Sequence, residues 1–278
     1  MFDRLLDRFQ GVLNPAAVAA KARRVPEVLN RGRIEWGSES VQGGRTTMED
    51  RMTVIPNFVA MRGEEFGLAA VFDGHGGVEV AEKANKGLPE ILARSFADGG
   101  NMEGALWGAL YGLGIEMKNY HDGSTAVAAL ISERKLYLAY VGDSRAMILR
   151  DGVAYEVSVL HTPGSIAERE RIEKWGGTVR RMGKIMRVGA RGLAVSRALG
   201  DAGTQGISYQ PDVYECDLLP GYQVLLMCDG VWKEFSPQNL ATMGEQYPGP
   251  VALAKKLVEF ASARGSGDNL TAIVAKVS

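Results

Sequence analysis

An aspartate and a histidine follow a short apolar run that is typical of a buried strand. The run 68–72 is followed by Asp73, Gly74, His75 and two further glycines. Because glycines end strands in tight turns, Asp73 and His75 are predicted at the mouth of the strand. There, a carboxylate can bind a metal ion and a histidine can transfer a proton. The alternative interpretation is a strand that ends in a glycine turn with an aspartate cap.

Three further aspartates, Asp50, Asp229 and Asp268, lie at the ends of predicted strands or in turns beside them. If these strands share one core, the three acids and Asp73 converge at one edge of it. Carboxylates held close together cannot all remain ionised unless a cation neutralises them. An all-oxygen ligand set favours Mg²⁺ or Mn²⁺ over Zn²⁺. A single Asp-Gly pair is ordinarily a turn, and we interpret Asp151-Gly152 in that way.

Alternating apolar positions and turn residues predict antiparallel strands separated by helices. The strands are predicted in hairpins or a meander: 52–59 with 65–72, 213–218 with 223–228, and 123–131 with 135–141 and 146–149. The helices are predicted at 78–96, 102–120 and 250–264, and a last strand is predicted at 270–277. This pattern indicates an antiparallel α+β protein.

The stretch 174–200 holds seven Lys or Arg residues and no acid, the one strong charge asymmetry in the chain. Before it, Ser165 and Glu168 are spaced as in a capping box and predict a helix that ends at Gly176-Gly177. Two interpretations of the basic stretch stay open: a solvated irregular loop, or a basic rim that attracts an anionic substrate. A nucleic-acid partner is not expected, because aromatic residues are not interleaved and the formal net charge of the chain is −1.

The composition of the 278 residues, 46% of them hydrophobic, is that of a soluble globular protein. No apolar run is long enough to span a bilayer, and Asp3 and Asp7 argue against a secretory leader. Cys216 and Cys228 have neither metal-binding nor redox spacing, which favours free thiols in a reducing compartment. We therefore expect a cytoplasmic or nuclear location.

Residues 1–32 are predicted to form a separate helical extension, since apolar residues recur there at helical spacing with charges on the other face. Either the extension packs on its own domain, or it docks on a partner or a membrane surface.

Seven short motifs follow one another along the chain: Arg45-Thr-Thr-Met-Glu49-Asp50, Val71-Phe-Asp73-Gly74-His75-Gly-Gly77, Gly123-Ser-Thr-Ala126, Val141-Gly-Asp143-Ser-Arg145, Leu193-Ala-Val-Ser-Arg197-Ala-Leu-Gly-Asp201, Cys228-Asp229-Gly-Val-Trp232 and Gly267-Asp268-Asn269. In this order they resemble the protein phosphatase 2C family of metal-dependent serine/threonine phosphatases, over about residues 33–278. The resemblance implies two antiparallel sheets packed face to face with helices outside both, in four α-β-β-α layers. It also implies a catalytic domain over 33–278 with a flap at about 161–190.

The resemblance assigns a role to each candidate site residue. Asp73 would bridge two metal ions, Mg²⁺ or Mn²⁺, and Asp229 and Asp268 would complete one of the two sites. The Gly74 carbonyl would serve the other site, together with two acids acting through water, Glu49 and Asp50. Asp143 matches a position that helps to hold a third, weaker ion in some members. Arg45 would bind the phosphate with its planar fork, and His75 would act as general acid.

The implied reaction is hydrolysis of phosphoserine and phosphothreonine on phosphoprotein substrates. Two cations roughly 3.5–4 Å apart lower the pKa of a shared water, and the resulting hydroxide attacks phosphorus in line. The cations and Arg45 stabilise the charge on the equatorial oxygens, while His75 protonates the departing oxygen. Neither cysteine lies in a phosphate-binding loop, which argues against a cysteine phosphatase.

Two positions depart from the family pattern. Leu160 stands where the family often has an aspartate before His-x-Pro, and Lys233 stands where it usually has an acid after Asp-Gly-x-Trp. A lysine beside the metal cluster either weakens metal affinity by repulsion or points away. Two alternatives to an active phosphatase therefore stay open. One is a catalytically weak scaffold that binds phosphoproteins or a partner, and the other is a metal-dependent nuclease or phosphodiesterase that uses the basic stretch 174–200.

Overall fold

The structure, a computed structural model, describes residues 34–61 and 63–278, so the helical extension predicted at 1–32 lies outside the described residues. The described strands are β1 (Ile34–Val41), β2 (Arg51–Met61), β3 (Glu64–Phe72), β4 (Gly74–His75), β5 (Gly123–Ser124), β6 (Ala126–Ile131), β7 (Lys135–Val141), β8 (Arg145–Arg150), β9 (Val153–Glu156), β10 (Val179–Met182), β11 (Ile185–Val188), β12 (Leu199–Gly200), β13 (Asp212–Asp217), β14 (Gln223–Met227) and β15 (Leu270–Val277). The described helices are α1 (Glu79–Ala97), α2 (Met102–Met117), α3 (Ile166–Lys174), α4 (Asp229–Trp232), α5 (Pro237–Gln246) and α6 (Pro250–Ala263).

Ten of these strands form two antiparallel sheets of five strands each. One sheet has the order β1-β15-β14-β8-β9, and the other has the order β13-β7-β6-β3-β2. The predicted hairpin of β2 and β3 is confirmed, with Arg51 opposite Phe72. The predicted last strand is also confirmed, and it lies between β1 and β14. The antiparallel α+β prediction is therefore correct.

Two predicted strand pairings are wrong. β13 pairs with β7, whereas β14 lies between β15 and β8 in the other sheet, so 213–218 and 223–228 do not form a hairpin. β8 is also not part of the predicted meander, because it pairs with β14 and not with β7. The fully buried β14 suits the centre of a sheet, and the half-exposed β13 suits an edge. Alternation of apolar residues identifies a strand but not its partner.

The two faces of β3 belong to two different apolar clusters. Ala69 and Val71 lie in a cluster that takes residues from both sheets and from α5 and α6. Leu68, Ala70 and Phe72 lie in a second cluster with residues of α1 and α2. Successive residues of a strand point to opposite faces, so a strand covered on both sides must be apolar throughout. β3 therefore packs against residues of both sheets on one face and against α1 and α2 on the other.

The three predicted long helices are confirmed, with ends that differ by a few residues from those predicted. The helix predicted after Ser165 is present, since α3 begins at Ile166. The predicted capping box is wrong, because the Ser165 side chain makes no capping hydrogen bond. Glu168 instead enters an ion-pair network. No helix of the described segments 34–61 and 63–278 is both long enough and apolar enough to cross a membrane.

Glu168 links α3 to the basic stretch that precedes β13. Its Oε1 accepts hydrogen bonds from Arg197 at 2.7 and 3.0 Å, and its Oε2 accepts from Arg171 Nη2 at 2.9 Å and Ser196 Oγ at 2.6 Å. Arg197 also donates to Asp212 at 2.7 Å. Burial alone would raise the pKa of Glu168, but these hydrogen bonds and the charge of Arg197 lower it to about 2. Part of the basic stretch is therefore structural.

Glu168→Gln is expected to destabilise the fold by about 3–5 kcal/mol near neutral pH, because Arg197 and Arg171 lose their buried charged partner. The folded-state pKa of Glu168, about 2, lies below the unfolded value. The carboxylate therefore stabilises the fold fully above about pH 4.3 and loses that effect as the pH falls towards 2. Urea unfolding at pH 7 and pH 3 measures the difference between variant and wild type, which should shrink in acid.

Glu259→Gln is the matched control for this experiment, because Glu259 pairs with Lys256 at 2.7 Å on the exposed face of α6. It should change stability little at either pH. A loss from Glu168→Gln that is equally large at pH 3 would contradict the charge-based explanation.

Candidate active site

Three aspartates from separate parts of the chain meet beside the ends of strands from both sheets. Asp73 follows β3, Asp143 lies in the link from β7 to β8, and Asp229 begins α4. One carboxylate oxygen of each lies within 4.8 Å of the others. Asp50 and Cys228 approach Asp73 within the same limit. The link that carries Asp143 passes from one sheet to the other, which is why it reaches the ends of both β3 and β14.

Glycines beside the aspartates allow the backbone segments of the site to approach closely. A Cβ atom on Gly74 would lie 2.5 Å from the carbonyl oxygen of Glu49, and one on Gly230 would lie 2.2 Å from that of Asn269. Any side chain at either position would push these segments apart. The Asp-Gly pairs predicted from the sequence are therefore explained by packing at the site as well as by turns.

The clustered carboxylates disfavour one another's charge. Burial, followed by the charges of Asp229, Asp50 and Asp143, raises the pKa of Asp73 well above its ordinary value. Burial also raises the pKa of Asp50 to about 6, despite a hydrogen bond from Thr271. Burial and the charge of Asp229 raise the pKa of Asp143 to about 6. These acids would all be ionised in water near neutral pH, but in the fold their charged forms are disfavoured. A bound cation would stabilise the charged forms, so the site is suited to one.

The donor set of the site fits a hard divalent cation such as Mg²⁺ or Mn²⁺. Asp50 Oδ1 is buried and has no hydrogen-bond partner among the described residues, so one oxygen beside the cluster is free to accept a bond. Cys228 is a poor ligand for such an ion, because hard dications prefer oxygen and its Sγ already donates to the Asn269 carbonyl oxygen at 3.4 Å. The remaining candidate ligand atoms are carboxylate and carbonyl oxygens, which Mg²⁺ and Mn²⁺ prefer.

Two cationic side chains pair with the acids of the site. Arg45 Nη2 donates to Asp268 Oδ2 at 2.8 Å. Lys233 Nζ donates to Asp229 Oδ2 and lies 3.8 Å from Asp143 Oδ2. Among the described residues, Asp268 belongs neither to the group of Asp73, Asp143 and Asp229 nor to the group of Asp73, Asp50 and Cys228. It pairs instead with Arg45.

Glu49 and Asp268 are joined through Asn269 rather than by direct contact. Asn269 Oδ1 accepts a hydrogen bond from Glu49 N at 2.8 Å, and its Nδ2 donates to the carbonyl oxygens of Gln42 and Thr47 at 2.8 and 2.9 Å. Asn269 therefore fixes the segment that carries Arg45, Glu49 and Asp50 against Asp268. The sequence motif contained Asn269, but gave no reason to assign it this role.

His75 has a buried acidic partner that the sequence analysis missed. His75 Nε2 lies 2.7 Å from Asp201 Oδ2, and the Asp201 side chain is fully buried. Burial opposes the charged imidazole, but the hydrogen bond to Asp201 and its negative charge raise the pKa of His75 above the ordinary value. Arg191, from the basic stretch, donates to Asp201 Oδ1 at 3.3 Å. Asp201 ends one of the quoted motifs, yet nothing local indicates that it meets His75.

Backbone geometry also marks the His75–Asp201 pair as a constrained site. Asp201 has a φ of 58°, which is uncommon for a residue other than glycine. A Cβ atom on Gly123 would lie 2.4 Å from Asp201 Oδ2 and 2.5 Å from His75 Nε2. Only glycine at position 123 leaves room for this pair.

A comparison with protein families gives a match to the model for protein phosphatase 2C over residues 34–270, which is most of the chain. The chain belongs to the protein phosphatase 2C family. "Probable protein phosphatase 2C 69" of Arabidopsis thaliana is 37% identical over 253 residues, covering 88% of this chain and 70% of the relative. Three other relatives are longer, and this chain spans 66% of one and 39% of each of the other two.

Two solved structures share the fold of this chain. A Caenorhabditis elegans sex-determining protein has a TM-score of 0.80 and 29% identity, covering 89% of this chain and 65% of that one. The catalytic domain of the serine/threonine phosphatase PstP, in complex with 2 manganese ions, has a TM-score of 0.59 and 22% identity, covering 87% of this chain and 97% of that one. The latter similarity is one of fold alone.

Proposed function

We propose that this protein is a Mg²⁺- or Mn²⁺-dependent phosphatase that hydrolyses phosphoserine and phosphothreonine in proteins. The observation that carries the proposal is the convergence of Asp73, Asp143 and Asp229, with one oxygen of each within 4.8 Å of the others. His75 lies two residues beyond Asp73, so a proton donor and a cation site belong to the same strand end. Membership of the protein phosphatase 2C family supports the reaction class.

The residues that would hold two metal ions are drawn from the acids of the site. Asp73 would contribute to both ions, with Asp229 and Asp268 completing one of the sites. The Gly74 carbonyl would serve the other, together with Asp50 and Glu49 acting through water. When bound, such ions supply a nucleophilic water at neutral pH and neutralise phosphate charge. The 2 manganese ions in the PstP structure support this choice of cofactor.

Arg45 would bind the phosphate group of the substrate. Its side chain is 56% exposed and lies beside Asp268 at the rim of the site, so a phosphate can reach the guanidinium. Two parallel N–H donors match two phosphate oxygens, and the positive charge stabilises negative charge that develops there. We also propose that residues 33–278 form the catalytic domain and that about 161–190 form a flap beside it.

His75 would donate the proton that the departing serine or threonine oxygen needs. An alkoxide is a poor leaving group, so a positioned acid lowers the barrier for these substrates. Asp201 holds the imidazole 2.7 Å away and favours its protonated form. The reaction needs no protein nucleophile, since the attacking oxygen comes from water.

The proposal is tested by measuring phosphate release from a phosphothreonine peptide in EDTA, Mg²⁺ and Mn²⁺. We expect release with Mg²⁺ or Mn²⁺, none in EDTA, and loss of release in Asp229→Asn because that variant lacks one carboxylate of the cluster. Release that persists in EDTA would exclude a metal-dependent mechanism. Release that is unchanged in Asp229→Asn would exclude the proposed site.

A second candidate function is a scaffold that binds phosphoproteins without hydrolysing them. The ion pair of Lys233 with Asp229 favours it, because a cation stands where the family usually has an acid. Folded protein that binds the phosphothreonine peptide but releases no phosphate with either metal would support the scaffold over the phosphatase.

A further inference from the structure

Lys233 lies at the end of α4, one helical turn after Asp229. Its backbone N–H donates to the Asp229 carbonyl at 3.2 Å, so the turn fixes the point from which the side chain extends. The ammonium donates to Asp229 Oδ2 and lies 3.8 Å from Asp143 Oδ2. A single cation thus contacts the two acids that, with Asp73, form the close carboxylate group.

Neighbouring residues fix the position of α4, and with it the position of Lys233 beside the two acids. Trp232 Nε1 donates to the Asp143 carbonyl at 2.9 Å, which holds α4 against the link that carries Asp143. The guanidinium of Arg145 lies 3.9 Å from the centre of the Trp232 ring and adds a second positive charge nearby.

We propose that the Lys233 ammonium takes the place of a third divalent ion, so that the carboxylate cluster of this protein binds two metal ions and not three. The inference rests on the proposed function, because it assumes the two-ion site. Asp143 would then serve as a partner of Lys233. An additional dication beside it would meet the repulsion of the ammonium at short range. The lysine at position 233 would then be compatible with a functional two-ion site, because its charge replaces only the third ion.

The test counts bound Mn²⁺ in the full chain by equilibrium dialysis, with free Mn²⁺ read from its electron paramagnetic resonance signal. Wild type and Lys233→Arg, which keeps the charge, are expected to bind two ions. Lys233→Met, which keeps the length and removes the charge, is expected to bind three. Adding Asp143→Asn to Lys233→Met should return the number to two, because it removes the carboxylate that the third ion needs.

Lys256→Met is the matched control, since Lys256 forms an ion pair with the exposed Glu259 at 2.7 Å on α6. It should bind two ions, as wild type does. Lys233→Gln provides a second neutral variant if Lys233→Met proves unstable on heating.

Three results would overturn the inference. Three ions bound by wild type, or two ions bound by both neutral variants, would show that Lys233 does not replace an ion, while the proposed phosphatase site would still stand. No Mn²⁺ bound by wild type or by any variant would refute the proposed metal site and the inference together. The count of ions does not depend on catalytic activity, so the two failures are distinguishable.

Discussion

Asp73→Asn is expected to lower metal-dependent phosphate release by at least about a thousandfold, because a bound metal ion supplies several kcal/mol of transition-state stabilisation. The same variant is expected to melt at a higher temperature than wild type in EDTA. In the absence of a metal, the Asp73 carboxylate lies buried among Asp50, Asp143 and Asp229, and these acids disfavour its charge. A neutral amide of the same shape removes that repulsion.

The opposite signs of these two effects make the Asp73 prediction specific. Asp73 Oδ2 accepts a hydrogen bond from Asp229 N at 3.3 Å, and the carbonyl oxygen of an asparagine can accept the same bond. The fold should therefore survive. The melting temperature in EDTA, followed by circular dichroism, should rise by about 2–4 °C for each kcal/mol by which the loss of repulsion raises the free energy of unfolding. Added Mn²⁺ should stabilise wild type and not the variant.

Asp151→Asn is the control for Asp73→Asn. Asp151 precedes a glycine in the same way, but it lies in the turn between β8 and β9 with a φ of 49°, a conformation that asparagine also tolerates. Neither phosphate release nor melting in EDTA should change. Full activity in Asp73→Asn would refute the assignment of Asp73 as a metal ligand. A lower melting temperature in EDTA would contradict the explanation by carboxylate repulsion.

Asp201→Asn is expected to slow hydrolysis of a phosphothreonine peptide about tenfold or more, and hydrolysis of p-nitrophenyl phosphate much less. A general acid contributes about 10²–10⁴-fold when the leaving oxygen needs a proton. The threonine alkoxide needs one, whereas the nitrophenolate ion is stable without it. The Asp201 carboxylate holds His75 at 2.7 Å and favours its protonated form, and an amide would keep the contact without the charge.

His75→Gln removes the acid itself and should show a larger loss with the same selectivity between the two substrates. Asp217→Asn is a control at an exposed carboxylate that pairs with Lys135 at 2.8 Å, and it should slow neither substrate. Equal losses on both substrates in Asp201→Asn would mean that Asp201 only supports the fold. kcat measured on each substrate at saturating Mn²⁺ decides between these outcomes.

Short-range patterns were sufficient to predict the elements that carry the site. The apolar run before Asp73 is β3, and Gly267-Asp268-Asn269 leads into β15 as predicted. Burial on both faces explains the first pattern, and turn chemistry explains the second. Both depend on neighbours in the chain, so both can be read from a short segment.

The partners of these elements could not be predicted in the same way. The hairpin proposed for β13 and β14 failed because each strand was assigned to its neighbour in sequence, whereas burial placed them in different sheets. Glu168 was predicted as half of a capping box, but it is one acid of a buried ion network. Such contacts join residues far apart in the chain and depend on the whole packing.

The sequence by itself determined the antiparallel α+β class, the positions of most helices and strands, and the chemistry available to the candidate ligands Asp50, Asp73, Asp229 and Asp268. Only the tertiary structure decided which groups meet: Asp143 with Asp73 and Asp229, His75 with Asp201, and Lys233 with two of the acids. The physical reason is that strand and turn propensities act over a few residues. Charge pairing and close approach, in contrast, act between surfaces that come together only when both sheets have packed.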